Sequence, residues 1–583
     1  MDAETVDYIR RLIPENVPDG MAFVRRGMEL GRGITPRRAP FLEEAGFANY
    51  MEYRRDRIAR KKVVCQILLG LASLPEQLAA IREIHDFSRR TGLEIDTVQA
   101  LPSQLVALPE SYRAAAPAGT SYVMAGEADW LAHAEASPLQ IIFGDQHLSC
   151  PNALETVANP LKAGSARVGL FSQFIWDYPG FDDDLQRYSD MLTGIGMVAA
   201  HRDAFISVDS YLDDGLPGYF MDCVSYVGYA LLEHYICSTL CRARMSFSYG
   251  GLLSEGRPRM AVGMAIDRLL STADQPALSY INSSTIIQWD HDVNANFGPS
   301  VAEMLLEILV ERKYGMGMAI NPVAVTERLR VPSLPELLDI CAAGARAEEM
   351  APEWDELMDF RPLEKMRDVM AAKGEDFFRN VLAGFGEAGV DIGNPLEMLL
   401  VLKRFNPTRF EQAFHPGEEE DGSMRVYYPT VLGRQTAEMR EGILAAMRER
   451  GLEGRLAGKR VVAASADGHS YGLLLVEGVL AAMGAEVLNA GVDAVPATLL
   501  DFADESGVRD LCVSVHNGQA LAYGKQLVHL AKERGGGYRF FMGGKLNGML
   551  PGGAMPVEVD GMLRELGIVA GNDLAETIVA LAE

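Results

Sequence analysis

At 583 residues the chain is too long for one ordinary domain, and two or three are expected. An apolar fraction of 48% with 23% charged residues is that of a globular protein with ample core. A formal charge of −26 argues against nucleic acid or an anionic membrane surface as partner, since both attract clustered Lys and Arg.

The opening stretch "MDAETVDYIRRLIPEN" has no apolar core of leader length, and no segment offers roughly 20 uncharged apolar residues to span a bilayer. The seven cysteines are scattered at 65, 150, 223, 237, 241, 341 and 512, without a disulfide framework or a CxxC pair. A cytoplasmic location is the expectation. Cys237 and Cys241 lie one helical turn apart and read as two core thiols.

Residues 1–60 are rich in charge and read as a helical segment ending in "NYMEYRRDRIARKK". From 61 to 415, strand-like apolar runs alternate with helical patterns. The runs are "TSYVMAG" (120–126), "LQIIFGD" (139–145), "RVGLFSQF" (167–174), "FISVDSY" (205–211), "RMSFSYGG" (244–251), "LSYINSS" (278–284) and "GMGMAIN" (315–321). Repeated β then α suggests a parallel sheet. At this length a closed (β/α)8 TIM barrel is the commonest solution, although an open doubly wound sheet gives the same alternation. Two polar clusters fall within it. "AHRDAFISVDSY" offers His201, Arg202 and Asp203, and "QWDHDVN" packs Asp290, His291 and Asp292 together. The first lies at a strand start and reads as structural, and the second is either a polar loop near the rim or a metal or proton-transfer site.

"HPGEEEDGS" (415–423) is a compact acidic break. With the helix around "QTAEMREGILAAMRERG" and the second break "GLEGRLAGK" it reads as a linker over 416–458. From 459 to 583 the pattern becomes regular. "KRVVAAS", "AEVLNAG", "RDLCVSV" and "YRFFMGG" read as strands without alternation, as expected when both faces are covered. "YGLLLVEGVLAAMG", "PATLLDFADESG", "LAYGKQLVHLAKERG" and two terminal segments read as helices. The result is a doubly wound, flavodoxin-like α/β domain whose ligands should bind at the carboxyl ends of the strands.

There lies "SADGHSYG" (465–472), in the loop after the first of these strands. A histidine on that loop can reach a metal, and an Asp two residues earlier can accept its other ring N–H, fixing the tautomer. The third strand ends "CVSVHNGQ" and the fourth "FMGGKLNG", so small residues at three adjacent strand ends make a slot. D-x-H-x-x-G, then a Ser-containing strand end, then G-G, resembles the cobalamin-binding domains of mutases and corrinoid methyltransferases. That resemblance implies His469 as lower axial ligand to cobalt and Asp467 as its hydrogen-bond partner. It implies a cofactor site of Asp467, Gly468, His469, Ser470, Tyr471, Gly472, Ser514, Gly518, Gly543 and Gly544. "VAGNDLAETI" departs from the Gly-Thr turn that relatives often carry, and Asn572 stands in its place. "CVSVHNGQ" with "DGHSYG" is most similar to the small component of glutamate mutase (methylaspartate mutase). His516 there reads as a turn histidine bonded to backbone rather than a second ligand.

The 61–415 region resembles the large component of the same family more faintly, through "GITPRRAP", "SPLQIIFGDQH", "VSYVGYALLEHYI" and "TERLRVPS". The resemblance implies Arg38, Arg167 and Gln173 as substrate residues and Glu327 as a contact to the adenosyl ribose. The departures concern the substrate. "IIFGDQH" has no Arg, "ARVGLFSQFIWDYP" has no Glu, and "GMAINPVAV" places Asn321 where a Lys is expected. Bidentate arginine recognition of carboxylates is hard to mimic, so fold and radical chemistry carry over better than the substrate. The expectation is an adenosylcobalamin-dependent carbon-skeleton mutase with both components fused, acting on glutamate or a related small acid and pairing as a homodimer. The alternatives are a corrinoid methyltransferase, whose helical cap would not fit between 424 and 458, and a non-catalytic cobalamin sensor or carrier.

Overall fold

The computed structural model describes residues 1–113, 121–144, 146–178, 180–181, 183–250, 253, 255–272, 279–282, 292–327, 332–419, 424–466, 470–491, 494–515, 520–548 and 557–583. The protein is α/β with mostly parallel sheets. It divides into two compact units, Met1–Phe405 with Phe410–Val431, and Asn406–Arg409 with Leu432–Glu583. Among the described residues no helix is long and apolar enough to cross a membrane.

The first unit is built on eight parallel strands: β1 Val64–Leu69, β2 Thr97–Ala100, β3 Gln140–Phe143, β4 Arg167–Leu170, β5 Ser207–Tyr211, β6 Arg244–Tyr249, β7 Ser279–Asn282 and β8 Ala319–Asn321. Their order is β3-β2-β1-β8-β7-β6-β5-β4. Just past β3, His147 forms a parallel bridge to Leu170 of β4, with Leu170 N–H donating to Gln146 O at 2.7 Å and Leu148 N–H to Leu170 O at 3.1 Å. Strands β1 and β4 stand five places apart in this order, about 24 Å in a flat sheet. Yet Arg167 Nη2 of β4 donates to Gln66 Oε1 of β1 at 3.0 Å, so the sheet curls round on itself.

Six of the seven expected runs coincide with β3 to β8. "TSYVMAG" does not. Its described part, residues 121–126, is irregular; Tyr122 and Met124 are buried, but Tyr122 bonds to the loop atoms Leu71 O and Ser103 N rather than to a strand. The strands that complete the sheet are β1 and β2, within "KKVVCQILLG" and "EIDTVQA". Apolarity marked burial correctly at Tyr122 and Met124 but not at Val123, which is 42% exposed, and ladder pairing is a tertiary property.

The first 60 residues form four helices, Ala3–Leu12, Gly20–Arg32, Pro40–Ala45 and Tyr50–Ala59, all within the first unit. Side-chain caps set three of the four starts; Asp2 accepts from Thr5 N–H at 2.8 Å, Asp19 from Met21 N–H at 2.9 Å and Asn49 from Glu52 N–H at 3.0 Å. Helix Gly20–Arg32 lies so close to helix Asp184–Ala199 that a Cβ on Gly27 would overlap Thr193 O, and one on Gly196 would overlap Val24 O. Phe41, Leu42, Tyr50, Met51 and Tyr53 pack against Val64, Ala166 and Ala319, at the amino-terminal ends of β1, β4 and β8.

The segment read as a linker is shared between the units. Buried Asp222 accepts N–H bonds from Tyr427 at 2.6 Å and Tyr428 at 3.1 Å, and faces His415 Nε2 at 3.1 Å. Glu411 accepts from Met221 and Asp222 N–H groups. These bonds hold residues up to 431 in the first unit, whereas helix Val431–Glu449 packs Ile443, Leu444 and Met447 into a core of the second.

In the second unit, β9 Arg460–Ser465, β10 Glu486–Asn489, β11 Asp510–Val515 and β12 Arg539–Gly544 match the expected strands. A short antiparallel pair, β13 Asn547–Gly548 with β14 Val557–Glu558, and a fifth parallel strand, β15 Val569–Ala570, were not legible in the pattern. The parallel order is β10-β9-β11-β12-β15. Alternate strand residues feed two cores: Val462, Val513 and Met542 lie under helices Pro496–Ser506 and Ala520–Glu533, whereas Val461, Cys512 and Phe541 lie under helices Ser470–Ala482 and Leu574–Ala582. Two-sided covering explains why these strands lack polar alternation.

Candidate functional site

Two groups of residues carry chemistry, one in each unit. In the first, Arg167 is 5% exposed, and its Nη1 donates to Asp209 Oδ2 at 2.8 Å and to Ser248 Oγ at 3.1 Å. Ser246 and Ser248 hydroxyls donate to the two Asp209 oxygens at 2.9 and 2.8 Å. Gln66 Nε2 continues the chain to Gln99 Oε1 at 2.6 Å. Burial raises the Asp209 carboxyl above the ordinary carboxylate range, while the Arg167 charge and both serines pull it back. This network runs across β1, β2, β4, β5 and β6 on one face of the sheet.

At the carboxyl ends of the same strands the groups are less completely paired. Gln146, after β3, is 2% exposed and neither atom of its amide has a hydrogen-bond partner. His147 beside it bonds through Nδ1 to Tyr178 Oη at 2.6 Å and stands edge-on to Trp176. Burial lowers its pKa to about 4, so the imidazole is neutral at pH 7. Gln173, in the turn after β4, donates to Asp214 Oδ2 at 2.8 Å and leaves Oε1 without a partner. Asp213, after β5, accepts the Gly250 N–H at 2.8 Å, after β6.

The structure therefore brings Arg167 into a buried network, with Gln173 at the adjoining strand ends. Arg38 is placed elsewhere. It is exposed, its Nη2 donates to Phe47 O at 3.2 Å, and its neighbour Ala39 packs at the amino-terminal ends of β1, β4 and β8. Its described bond does not join it to Arg167 or Gln173, with which it was expected to hold the substrate. Glu327 is exposed in the loop after β8, where its N–H donates to Ala324 O at 2.9 Å. Asn321 is buried at the end of β8. Asp209, Gln146 and His147 were not singled out from the sequence. The available signal was period-two polarity, Ser207 with Asp209 in "FISVDSY" and Ser246 with Ser248 in "RMSFSYGG".

The secondary candidates that are described make structural contacts. His201 Nε2 bonds to Gly31 O at 2.9 Å, and Arg202 donates to Arg242 O at 3.0 Å. Asp292 caps helix Val293–Tyr314 by accepting from Ala295 N–H at 3.0 Å. Cys237 and Cys241 are buried. Asp290, His291 and His516 lie outside the described residues.

A separate buried carboxyl sits behind β5. Glu233 accepts from Ser210 Oγ, which also bonds Ser172 Oγ at 2.8 Å, and burial lifts its pKa to about 8. The native state keeps this proton where an unfolded chain, with an ordinary value of 4.5, has released it. Its contribution to stability is therefore full below pH 4.5 and is lost as pH rises to about 8. Glu233→Gln is expected to flatten the decline in this window by about 1.4 kcal/mol per pH unit. Urea unfolding at pH 5, 6, 7 and 8 measures it, and parallel slopes for parent and variant would refute the assignment.

In the second unit the strand order reverses at β9, between β10 and β11, the kind of switch point that leaves a crevice at the carboxyl ends. Residues 467–469, after β9, and 516–519, after β11, lie outside the described residues and include the expected Asp467, Gly468, His469 and Gly518. Their flanks are described. Ser470 and Tyr471 open helix Ser470–Ala482. In register, Ser514 of β11 pairs with Ser465 of β9 and with Gly543 of β12. A Cβ on Gly472 would overlap Ser514 Oγ, so the helix start is pressed against the strand end. Gly544 has φ +98° and donates its N–H to Asn572 Oδ1 at 2.7 Å. Ser514, Gly543 and Gly544 thus stand at two adjacent strand ends, with Gly472 pressed against the first from the helix and Asn572 tied to the last.

Among the described residues no group of three or more His, Cys, Asp or Glu side chains is arranged to hold a metal ion. No protein-family model matches the chain, and no curated protein matches it significantly.

Proposed function

We propose that the chain is an adenosylcobalamin-dependent carbon-skeleton mutase resembling glutamate mutase. In this reading the eight curled strands form a closed TIM barrel, and the second unit is a flavodoxin-like cobalamin-binding domain. One observation supports the reading: the sequence D-x-H-x-x-G follows the switch-point strand β9, and its last residue, Gly472, meets Ser514, which pairs in register with Gly543 beside Gly544. That rim suits a bulky nucleotide tail, because its side chains are small and a Cβ on Gly472 would fall on Ser514. The Asn572–Gly544 bond supports it further, supplying order at the place where a Gly-Thr turn is absent.

When bound, adenosylcobalamin supplies a weak cobalt–carbon bond as the source of a radical for a 1,2-rearrangement. His469 would hold the cobalt, and Asp467 would fix its tautomer by accepting the other ring N–H. In the first unit, Arg167 and Asp209 hold the polar floor rigid. Gln146, His147 and Gln173 offer neutral donors and acceptors at the strand ends. The buried aromatic and amide groups there keep water from a reactive centre.

The absorption spectrum of the protein mixed with adenosylcobalamin tests the cofactor site. His469→Ala is expected to lose the spectrum of histidine-ligated cobalamin, and Asp467→Ala to bind about 10–100-fold more weakly. An unchanged spectrum and affinity in His469→Ala would reject the site. Low-temperature EPR of the loaded protein with amino and hydroxy acids tests the reaction: a coupled cobalt(II)–organic-radical signal supports the mutase, and silence beside methyl transfer would replace it.

A further inference from the structure

Three helices of the first unit end around one open cleft, on the face where β5 and β6 begin. They are Gly20–Arg32, Asp184–Ala199 and the one-turn π-helix Tyr235–Leu240. The cleft holds about 620 Å³, and its lining includes Arg32, Arg202, Asp203, Ser238 and Arg242. Three guanidinium groups and one carboxylate make it positive, in a chain whose net charge is −26. The positive field reaches its surroundings. Burial and the Arg202 charge lower the His234 pKa to about 4, and the same two causes lower that of Arg244.

Helix C-termini carry partial negative charge, and arginines beside them offset it. That use accounts for Arg202, whose Nη1 donates to Arg242 O at 3.0 Å. It leaves Arg32 and Arg242, whose guanidinium groups have no hydrogen bond or ion pair among the described residues. The Ser238 hydroxyl at the cleft wall has no partner either. Arg242 also stands at φ +68°, in the turn that ends the π-helix, where glycine would rest without strain. The backbone there does not call for an arginine, since Arg202 bonds only its carbonyl oxygen.

Two uncommitted guanidinium forks and a spare hydroxyl suit a doubly charged group with several oxygens, whereas a single carboxylate fills one fork. The overall negative charge repels long polyanions, but within a screening length of about 10 Å the local cations dominate. We propose that this cleft binds a small phosphate-bearing ligand through Arg32 and Arg242, with Arg202 beside them. The site lies at the strand starts and is independent of the mutase reading.

Calorimetric titration of the full chain at low ionic strength tests it, with inorganic phosphate, ribose 5-phosphate, acetate and a glutamate-rich peptide as probes. The better of the two phosphates is expected to bind at least about tenfold more tightly than acetate. Tighter binding of the monoester marks a phosphorylated ligand and tighter binding of phosphate the free ion; both support the site. Arg242→Gly should lose about tenfold in phosphate affinity yet melt close to the parent, because relaxing φ +68° offsets the freedom that glycine adds to the unfolded chain. Arg32→Ala, at an exposed helix end, should show the same loss with the backbone untouched. Arg361→Ala, on a helix that does not line the cleft, should bind as the parent does. Should Arg242→Gly unfold, Arg32→Ala decides alone. The proposal is overturned if neither phosphate binds, if acetate or the peptide binds as tightly, if a folded cleft variant keeps the parent affinity, or if Arg361→Ala loses as much.

Discussion

Asp209→Ala is expected to destabilise the first unit by about 3–5 kcal/mol, because it leaves the Arg167 guanidinium buried without its carboxylate. The two groups are 5% and 6% exposed and share a 2.8 Å bond, so water cannot replace the lost partner. Ser246 and Ser248 lose their acceptor in the same step. The double variant Arg167→Leu/Asp209→Ala removes charge and countercharge together and should recover a large part of the loss. Hydrogen exchange over β4, β5 and β6 localises the effect, and urea unfolding gives its size. A single variant no worse than the double would mean that the pair is not the electrostatic centre of the sheet.

Gly544→Val is expected to cost about 3 kcal/mol or more in the second unit. A β-branched residue at φ +98° is strained, and the new Cβ would overlap the backbone oxygen of Val515, which cannot swing aside as a side chain would. Asn572→Ala separates the causes: it leaves the glycine but removes the acceptor of its N–H, for about 1 kcal/mol. Exchange protection of β11 and β12 reads both variants. Since this rim borders the proposed cofactor slot, cobalamin affinity should fall in Gly544→Val by more than in Asn572→Ala. Parent-like protection in Gly544→Val would remove the strain argument.

The carboxylates of this chain show how location rather than residue type sets protonation. Glu233 and Asp209 lie on the two faces of neighbouring structure at β5, one beside serine hydroxyls alone and the other beside Arg167. The first keeps its proton to about pH 8, and the second is drawn back toward ionisation by the guanidinium. A sequence shows both simply as acids.

Local pattern was sufficient for four of the five parallel strands of the second unit. Its four longer strands and their helices follow from short apolar runs broken by Gly and Pro, because two-sided burial leaves little else to read. The small-residue strand ends at Ser514, Gly543 and Gly544 and the helix start at Gly472 were legible too, since steric exclusion of side chains is written in the residues themselves. Pairing was not. The curling of the first sheet, the partition of 416–458 between the units, and the placement of Arg38 at the amino-terminal ends depend on bonds between distant residues. Asp222 to Tyr427 and Arg167 to Gln66 are examples, at separations no local period can encode. The same holds for charge: the sequence by itself determined that an arginine stands at 167, but only the tertiary structure decided that Asp209 neutralises it, which bears directly on the ligand this fold can hold.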